Sequence, residues 1–167
     1  MKDLIFKSCP ILCGFTLLFF IASCSKDDVA EGDMQQSEAL TIAEEILMIV
    51  NTHRASIGEN ALEFDTLAND LAYEHTLYMI DQQDINHDDF DARSDRLFSE
   101  ANASRTGENV AYGQPTAQAV MDAWLNSSGH RKNIEGDFTH IGIAAVKSTS
   151  GRYYYTQIFF RQRNLNI

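Results

Sequence analysis

Two stretches of the chain carry apolar residues at the three- and four-residue spacing of an amphipathic helix. The first stretch begins at Ser37, a residue type that caps helix N-termini, and ends at Gly58, which favours termination. The second begins near Asp65 or Thr66 and repeats every four residues. Its stripe consists of Leu67, Leu71, His75 and Met79. We therefore predict two consecutive helices, each with one face turned towards a core.

A third long helix is predicted in the second half of the chain, after a polar segment. Residues 81–95 are rich in Asp, and we expect them to form a loop that contains His87 and precedes a short helix over residues 94–103. Pro115 suits a first helical turn, where its missing N–H would have no partner. From there an apolar face continues to Leu125. This face comprises Ala117, Val120, Met121 and Trp124.

The pattern changes from helical spacing to strands towards the C-terminus. Residues 107–112 and 141–146 are predicted strands. Residues 148–152 form a Gly- and Ser-containing turn, and residues 153–161 are rich in aromatic and β-branched side chains, as in the second strand of a hairpin. Helices together with a few antiparallel strands predict an α+β fold in which helices cover a small antiparallel sheet.

The first 23 residues have the composition of a secretory signal. Lys2 and Lys7 precede an apolar run over residues 11–22, which is shorter than the roughly 20 residues of a membrane span. The run ends in Ser23-Cys24 and resembles a bacterial lipobox, which implies cleavage before Cys24 and lipidation of its thiol. The alternative is an ordinary secretion signal in which Cys24 is incidental. We expect an acidic tether over residues 24–36 and a domain over residues 37–167.

Cysteine content and net charge narrow the class of protein further. Cys9 and Cys13 lie in the predicted signal and Cys24 at its end, so the mature domain has no disulfide and depends on core packing. The formal net charge of −11 argues against a nucleic-acid partner and against electrostatic attachment to anionic lipid. We therefore expect an exported protein that is attached to the outer membrane only through its acyl anchor. The charged residues 26–28 slightly favour display on the cell surface.

Four segments of the chain follow one another in a characteristic order. They are Val50-Asn51-Thr52-His53-Arg54, the run from Leu71 to Met79, Gly107-Glu108-Asn109-Val110-Ala111, and the run from Trp124 to Ile134. Together they resemble bacterial members of the CAP family, which comprises cysteine-rich secretory, antigen-5 and pathogenesis-related-1 proteins. The resemblance covers nearly all of the chain after the tether, and it implies an α-β-α sandwich.

The same resemblance implies a site. Animal and plant members of the family have a cavity lined by two His and two Glu. The positions that match this set are His87, Glu108 and His130. The fourth position, a Glu shortly after Trp124, has no match, because Asn126 and Ser127 stand there. The resemblance therefore implies a cavity with three of the four family residues, and Ser127 is a further candidate for its wall.

Two imidazoles and a carboxylate are a suitable ligand set for a divalent cation. Catalytic zinc commonly uses three protein ligands and one open position. His87, Glu108 and His130 are therefore candidate ligands for Zn²⁺ or another divalent ion, and Glu108 and His130 are the candidate catalytic residues. Alternatively, the His and Glu side chains only hydrogen-bond to each other and fix the loops. The Asp-rich loop beside His87 would favour a bound cation or a protonated imidazole, although it lacks the Gly and Glu of an EF-hand.

Two further histidine environments can be predicted. His75 lies on an apolar stripe, which is typical of a core histidine, whereas the resemblance places it below the cavity; both interpretations stay open. His130 lies near a predicted helix start with Ser127 or Ser128 as the cap. The helix dipole there would lower the pKa of His130 and favour its neutral, ligating form.

Two functions of different classes are compatible with these patterns. The first is a binding module whose cavity holds a lipid, peptide or envelope-derived ligand, with a divalent ion as a candidate cofactor. The second is a metal-assisted, peptidase-like hydrolase that acts on peptides or envelope polymers. The chain has neither a Gly-x-Ser-x-Gly elbow nor a His-Glu-x-x-His motif. The missing fourth carboxylate favours the binding module, because acid–base chemistry often needs a carboxylate beyond the metal ligands. The pattern leaves the oligomeric state open.

Overall fold

The computed structural model describes the backbone of residues 31–163 and the side chains of residues 42–163. Its elements, in chain order, are α1 (Glu31–Ser56), β1 (Glu63–Phe64), α2 (Thr66–Gln82), α3 (Phe90–Glu100), β2 (Ala103–Tyr112), α4 (Ala117–Asn126), α5 (Ser128–Ile134), β3 (His140–Lys147) and β4 (Tyr153–Gln162). The predicted signal and Cys24 lie outside the described residues, which contain no cysteine. None of the described helices combines the length and apolarity that a membrane crossing requires.

The strands form one sheet in the order β1-β3-β4-β2. Strands β3 and β4 are the predicted hairpin, and β2 pairs antiparallel with the other side of β4. The sheet differs from the expected purely antiparallel one because β1 pairs in parallel with β3, with Glu63 opposite His140. Strand β1 has only two residues, both exposed, so it carries no alternation that a sequence pattern could reveal.

Helices cover both faces of this sheet, which confirms the predicted α-β-α sandwich. On one face α1, α4 and α5 enclose a core that contains Trp124, Tyr155 and Phe159. On the other face α2 and α3 pack over a second core that contains Leu97 and Phe160. Helix α2 lies so close to β3 that a Cβ atom at Gly142 would be 2.1 Å from the backbone carbonyl carbon of α2's third residue. This close approach fixes α2, and with it one wall of the candidate site.

The starts of three helices differ from the predictions, α3 ends at Glu100 instead of residue 103, and β2 begins at Ala103, four residues before its predicted start. Helix α1 begins at Glu31 instead of Ser37, so residues 31–36 of the predicted tether are helical; good helix formers fill most of these positions. Helix α3 begins four residues before the predicted start, because Asp89 adopts a left-handed backbone conformation (φ 57°) and turns the loop into the helix. Helix α4 begins after Pro115, since the side chain of Thr116 caps it by accepting from the Ala119 N–H at 3.2 Å.

A candidate site around a buried glutamate

Glu108 is the centre of the candidate site. It lies on β2, where successive side chains point to opposite faces of the sheet. Its neighbour Asn109 contacts α5, where its Nδ2 donates to the carbonyl of His130, so Glu108 points to the face that α2 and α3 cover. The Glu108 side chain is only 1 % exposed. A buried carboxylate needs partners that compensate for its lost hydration, and the groups around it therefore define the chemistry of the site.

The main partner of Glu108 is Arg93 on α3. The Nε of Arg93 donates to Oε2 of Glu108 at 2.9 Å, and its Nη2 donates to Oε1 at 3.0 Å. The Nη1 of Arg93 donates to the carbonyl of Asp88 at 2.7 Å, which ties the preceding loop to the same cluster. Two parallel bonds between a guanidinium and a carboxylate are among the strongest polar contacts in proteins. Both oxygens of Glu108 therefore accept hydrogen bonds, and the positive charge of the guanidinium compensates the negative charge of the carboxylate.

His87 is the second partner of Glu108, as the sequence predicts for two members of one site. Its Nδ1 lies 2.7 Å from Oε1 of Glu108. An ionised carboxylate only accepts, so Nδ1 carries the hydrogen, and in the neutral ring Nε2 keeps a lone pair. The His87 side chain is 51 % exposed, in contrast to the buried Glu108. Glu108 thus orients an imidazole whose other nitrogen remains available to a ligand.

His75 lies below this pair and fits both interpretations of the sequence. It is buried on α2, and its Nε2 donates to the carbonyl of Asn86 at 2.9 Å. The same nitrogen is 3.9 Å from Oε1 of Glu108. Burial lowers the pKa of His75, and the charge of Glu108 only partly opposes this effect. His75 is therefore a core residue that also supports the loop in front of His87.

His130 approaches the site from α5 without contacting Glu108. Burial lowers the pKa of His130, and the charge of nearby His87 lowers it further. This direction agrees with the predicted one, and desolvation is its largest cause. Ser127 occupies the predicted N-cap position of α5, yet its side chain makes no capping hydrogen bond. Among the described residues, no hydrogen bond joins the ring of His130 or the hydroxyl of Ser127 to the His87–Glu108 pair.

Of the three candidate metal ligands, His87 and Glu108 are in direct contact, whereas His130 does not contact Glu108. No group of three His, Cys, Asp or Glu among the described residues is placed to hold a metal. Arg93 also opposes a cation at Glu108, because the cation would have to displace the guanidinium from a buried carboxylate. His87 and His130 are the residues left to bind an ion, with Glu108 behind His87. Metal binding by this chain therefore stays a prediction.

The space beside the cluster is small. A cavity of about 170 Å³ lies between α2 and α3. Its walls are formed by Leu71, Glu74, His75, Tyr78, Asp88, Asp89 and Arg93. Pockets for whole small molecules usually have about 300–1,000 Å³, so this one has room for a single functional group or side chain. Its three carboxylates give it a negative rim.

The sequence and the fold also place the chain among known proteins. A family model for the cysteine-rich secretory protein family, CAP, matches residues 47–159. The chain belongs to the CAP family.

Two proteins of Bacillus subtilis (strain 168) resemble this CAP domain. The uncharacterized membrane protein YlbC is 32 % identical over 126 residues, which are 73 % of this chain and 35 % of YlbC. The uncharacterized protein YkwD is 35 % identical over 109 residues, or 63 % of this chain and 42 % of YkwD. The chain thus spans less than half the length of either relative.

Solved structures show the same CAP fold. An extracellular protein of Bacillus anthracis that contains an SCP domain is 28 % identical, with a TM-score of 0.68, over 80 % of this chain and 44 % of that one. An outer surface protein of Borrelia burgdorferi has a TM-score of 0.65 at 22 % identity, over 72 % of this chain and 92 % of that one. The second likeness shows the fold alone. Both neighbours are named as extracellular or surface proteins.

Arg93 is the residue of this CAP domain's site that the sequence pattern did not reveal. It lies within residues 81–95, which were predicted to form a loop. Phe90, Arg93 and Leu97 are three and four residues apart, and this spacing is the signal of a helix face that could have identified it. Its partner Glu108 is 15 residues away on another element. Neither residue alone therefore indicates that the arginine points inward.

Proposed function

We propose that this chain is an exported CAP-domain binding module that holds a lipid, peptide or envelope-derived ligand against His87 and His130 without transforming it. The observation that carries this proposal is the pairing of Glu108 with Arg93. A general acid or base must reach the proton that it transfers. Glu108 is buried and both of its oxygens are engaged, so it is suited to position His87 and not to act on a ligand.

The exposed part of the site supports recognition. His87 offers one ring nitrogen to the outside, and its ring is held by the bond to Glu108. The adjacent cavity accepts one small group, and Asp88, Asp89 and Glu74 on its wall favour a group that is positively charged or donates hydrogen bonds. An amine or a basic side chain of a peptide or of an envelope fragment has this chemistry.

Attachment to the outer membrane belongs to the same proposal. The support is the signal-like N-terminus that ends in Cys24, together with the surface or extracellular names of the structural neighbours and the membrane-protein name of YlbC. Lipidation at Cys24 would hold the domain at the membrane, while its acidic surface does not bind anionic lipid. We propose display on the outer face, where envelope-derived ligands of neighbouring cells are also within reach.

One observation favours hydrolysis as a second candidate function. A half-exposed imidazole whose Nδ1 donates to a buried carboxylate has the arrangement of a general base and its orienting group. His87 could then activate a water molecule that attacks a peptide or envelope polymer. Arg93 makes a metal-assisted version of this reaction less favourable, because its guanidinium is bound to the carboxylate of Glu108 that the ion would need.

Exposure of the full chain to isolated envelope material separates the two functions. The wild type and the double variant His87→Ala/His130→Ala are immobilised, and mass spectrometry identifies both the retained and the released molecules. The binding proposal predicts intact molecules that the wild type retains and the double variant does not. Cleaved fragments in the released fraction of the wild type that are absent with the double variant would contradict the binding proposal and support the hydrolase. Arg161→Ala is the matched control, because it breaks an exposed ion pair with Asp137, and neither residue lines the cavity beside Arg93.

A further inference from the structure

A basic groove lies beside α5, on the side of the sheet that faces away from Arg93. The groove has a volume of about 580 Å³. Three cationic side chains line it: Arg105 from β2, and Arg131 and Lys132 from α5. Asn126, Ser128 and Glu135 complete most of its wall. Such a concentration of positive charge is unexpected in a chain with 24 acidic and 13 basic residues, and it points to a ligand of the opposite sign.

Four arginines elsewhere in the domain have acidic partners, whereas the three cations of this α5 groove have none within the described residues. Carboxylates pair with Arg54, Arg93, Arg96 and Arg161. Among the side chains that the structure describes, no carboxylate lies within ion-pair distance of Arg105, Arg131 or Lys132. All three are exposed. Their charges are therefore available to an anion that enters the groove.

Two of these side chains are held in place by uncharged groups. The Nε of Arg131 donates to the carbonyl of Leu125 at 2.6 Å, and its other nitrogens remain free to donate. The guanidinium of Arg105 lies 5.1 Å from the centre of the Phe138 ring, within the range of a cation–π contact. Such fixed positions reduce the entropy that a bound anion would have to remove.

The one carboxylate in the wall of the groove is engaged elsewhere. Oε1 of Glu135 is 2.9 Å from Nε2 of His53 on α1, so this ring nitrogen donates to it. Glu135 therefore has a partner of its own that competes with the groove cations for its charge. The positive potential of Arg105, Arg131 and Lys132 remains in excess within the groove.

We infer that the α5 groove binds a phosphate-bearing ligand, whose phosphate group Arg105, Arg131 and Lys132 hold. Guanidinium groups donate two parallel bonds to phosphate oxygens, and a third cation matches the charge of a phosphate dianion better than that of a single carboxylate. The recognised chemistry is the phosphate group itself, and a parallel titration with neutral vesicles that contain phosphatidic acid separates a lipid headgroup from a soluble phosphate compound as its source. This site is separate from the Glu108 cluster and does not depend on its function.

The test uses pyrophosphate as the probe and the full chain in a neutral detergent. Isothermal titration calorimetry compares the wild type with Arg105→Gln/Lys132→Gln, which removes two exposed charges of the groove. Arg96→Gln/Arg152→Gln is the matched control, because it removes the same charge from residues outside the groove. We expect one bound pyrophosphate per chain, a loss of about tenfold or more in affinity for the groove variant, and little change for the control.

Two further measurements make the outcome decisive. Citrate is expected to bind more weakly than pyrophosphate, and His87→Ala/His130→Ala is expected to bind pyrophosphate as the wild type does. The inference is overturned if the wild type binds no pyrophosphate. It is also overturned if both charge variants lose affinity equally, because net charge alone would then explain binding, or if citrate binds as tightly as pyrophosphate. Circular dichroism of each variant verifies that it is folded.

Discussion

The substitution Arg93→Met tests the structural role of the central ion pair. It removes the guanidinium while it keeps a side chain that can pack on α3. Glu108 then stays buried with His87 as its nearest polar partner. Because an uncompensated charge in the interior is costly, we expect a large loss of stability from a single exchange outside the hydrophobic cores.

The size of the effect follows from the burial of the pair. The side chains of Arg93 and Glu108 are 10 % and 1 % exposed. Removal of one partner from a buried pair typically costs about 3–5 kcal/mol. We expect about 3 kcal/mol, the lower end, because the hydrogen bond from half-exposed His87 to Glu108 remains in the variant. With a urea m-value of about 1.5 kcal/mol/M, the midpoint falls by about 2 M.

Urea denaturation followed by the fluorescence of Trp124 measures this loss. Trp124 is the single tryptophan of the chain, it is buried, and its Nε1 donates to the carbonyl of Val110 on β2, close to Glu108. The double variant Arg93→Met/Glu108→Gln should be more stable than Arg93→Met alone, because it also removes the orphaned charge. Arg96→Met, which breaks an exposed pair on the same helix, should not shift the midpoint measurably.

Two results would refute this reasoning about the ion pair. The first is a midpoint for Arg93→Met within about 0.5 M of the wild type, which would mean that the pair contributes no more than an exposed one. The second is a double variant less stable than Arg93→Met, which would mean that the negative charge of Glu108 is not the source of the loss.

Two other predictions concern the packing of α2 and the pH dependence of stability. Gly142→Ala should lower the free energy of unfolding by about 3 kcal/mol, because its Cβ would be 2.1 Å from the backbone of Ala68. Gly129→Ala, whose Cβ would have nothing within 4 Å, should leave this free energy unchanged. Thermal unfolding measures both variants, and equal melting temperatures would contradict the prediction. Burial lowers the pKa of His75 below its usual 6.5, so the unfolded chain binds the proton first and stability falls as the pH drops below about 6.5. His75→Gln should flatten this loss in urea denaturations between about pH 7.5 and 5.5, and an unchanged slope would show that His75 is not its source.

Much of the fold could be predicted because the buried face of a helix or strand requires apolar residues at a regular spacing along the sequence. The stripe of α2 is an example, since Leu71, His75 and Met79 are all buried as their spacing indicates. The hairpin of β3 and β4 was equally visible in its β-branched and aromatic residues. By contrast, β1 is held by two hydrogen-bonded residues whose pairing depends on β3, and no local pattern encodes it.

The site was only partly visible in the sequence. The contact between His87 and Glu108 agrees with the pairing that the family resemblance implies, but no periodicity in the chain predicts it. The pairing of Arg93 with Glu108 could not be predicted, because a charged residue is usually solvated and its partner lies on another element. The left-handed turn at Asp89, which places Arg93 on the first turns of α3, has no strong sequence signal either.

Zinc titration calorimetry of the full chain at neutral pH is the most direct test of the central claim that Glu108 positions His87 and is not a ligand or a reacting group. The wild type is compared with Glu108→Gln and with His87→Ala/His130→Ala. The account predicts that Glu108→Gln binds zinc no more weakly than the wild type does, because the amide oxygen can still accept from Nδ1 of His87. One zinc ion per chain, bound in the micromolar range by the wild type and lost in Glu108→Gln as well as in the double variant, would contradict the account and would favour the metal-assisted hydrolase.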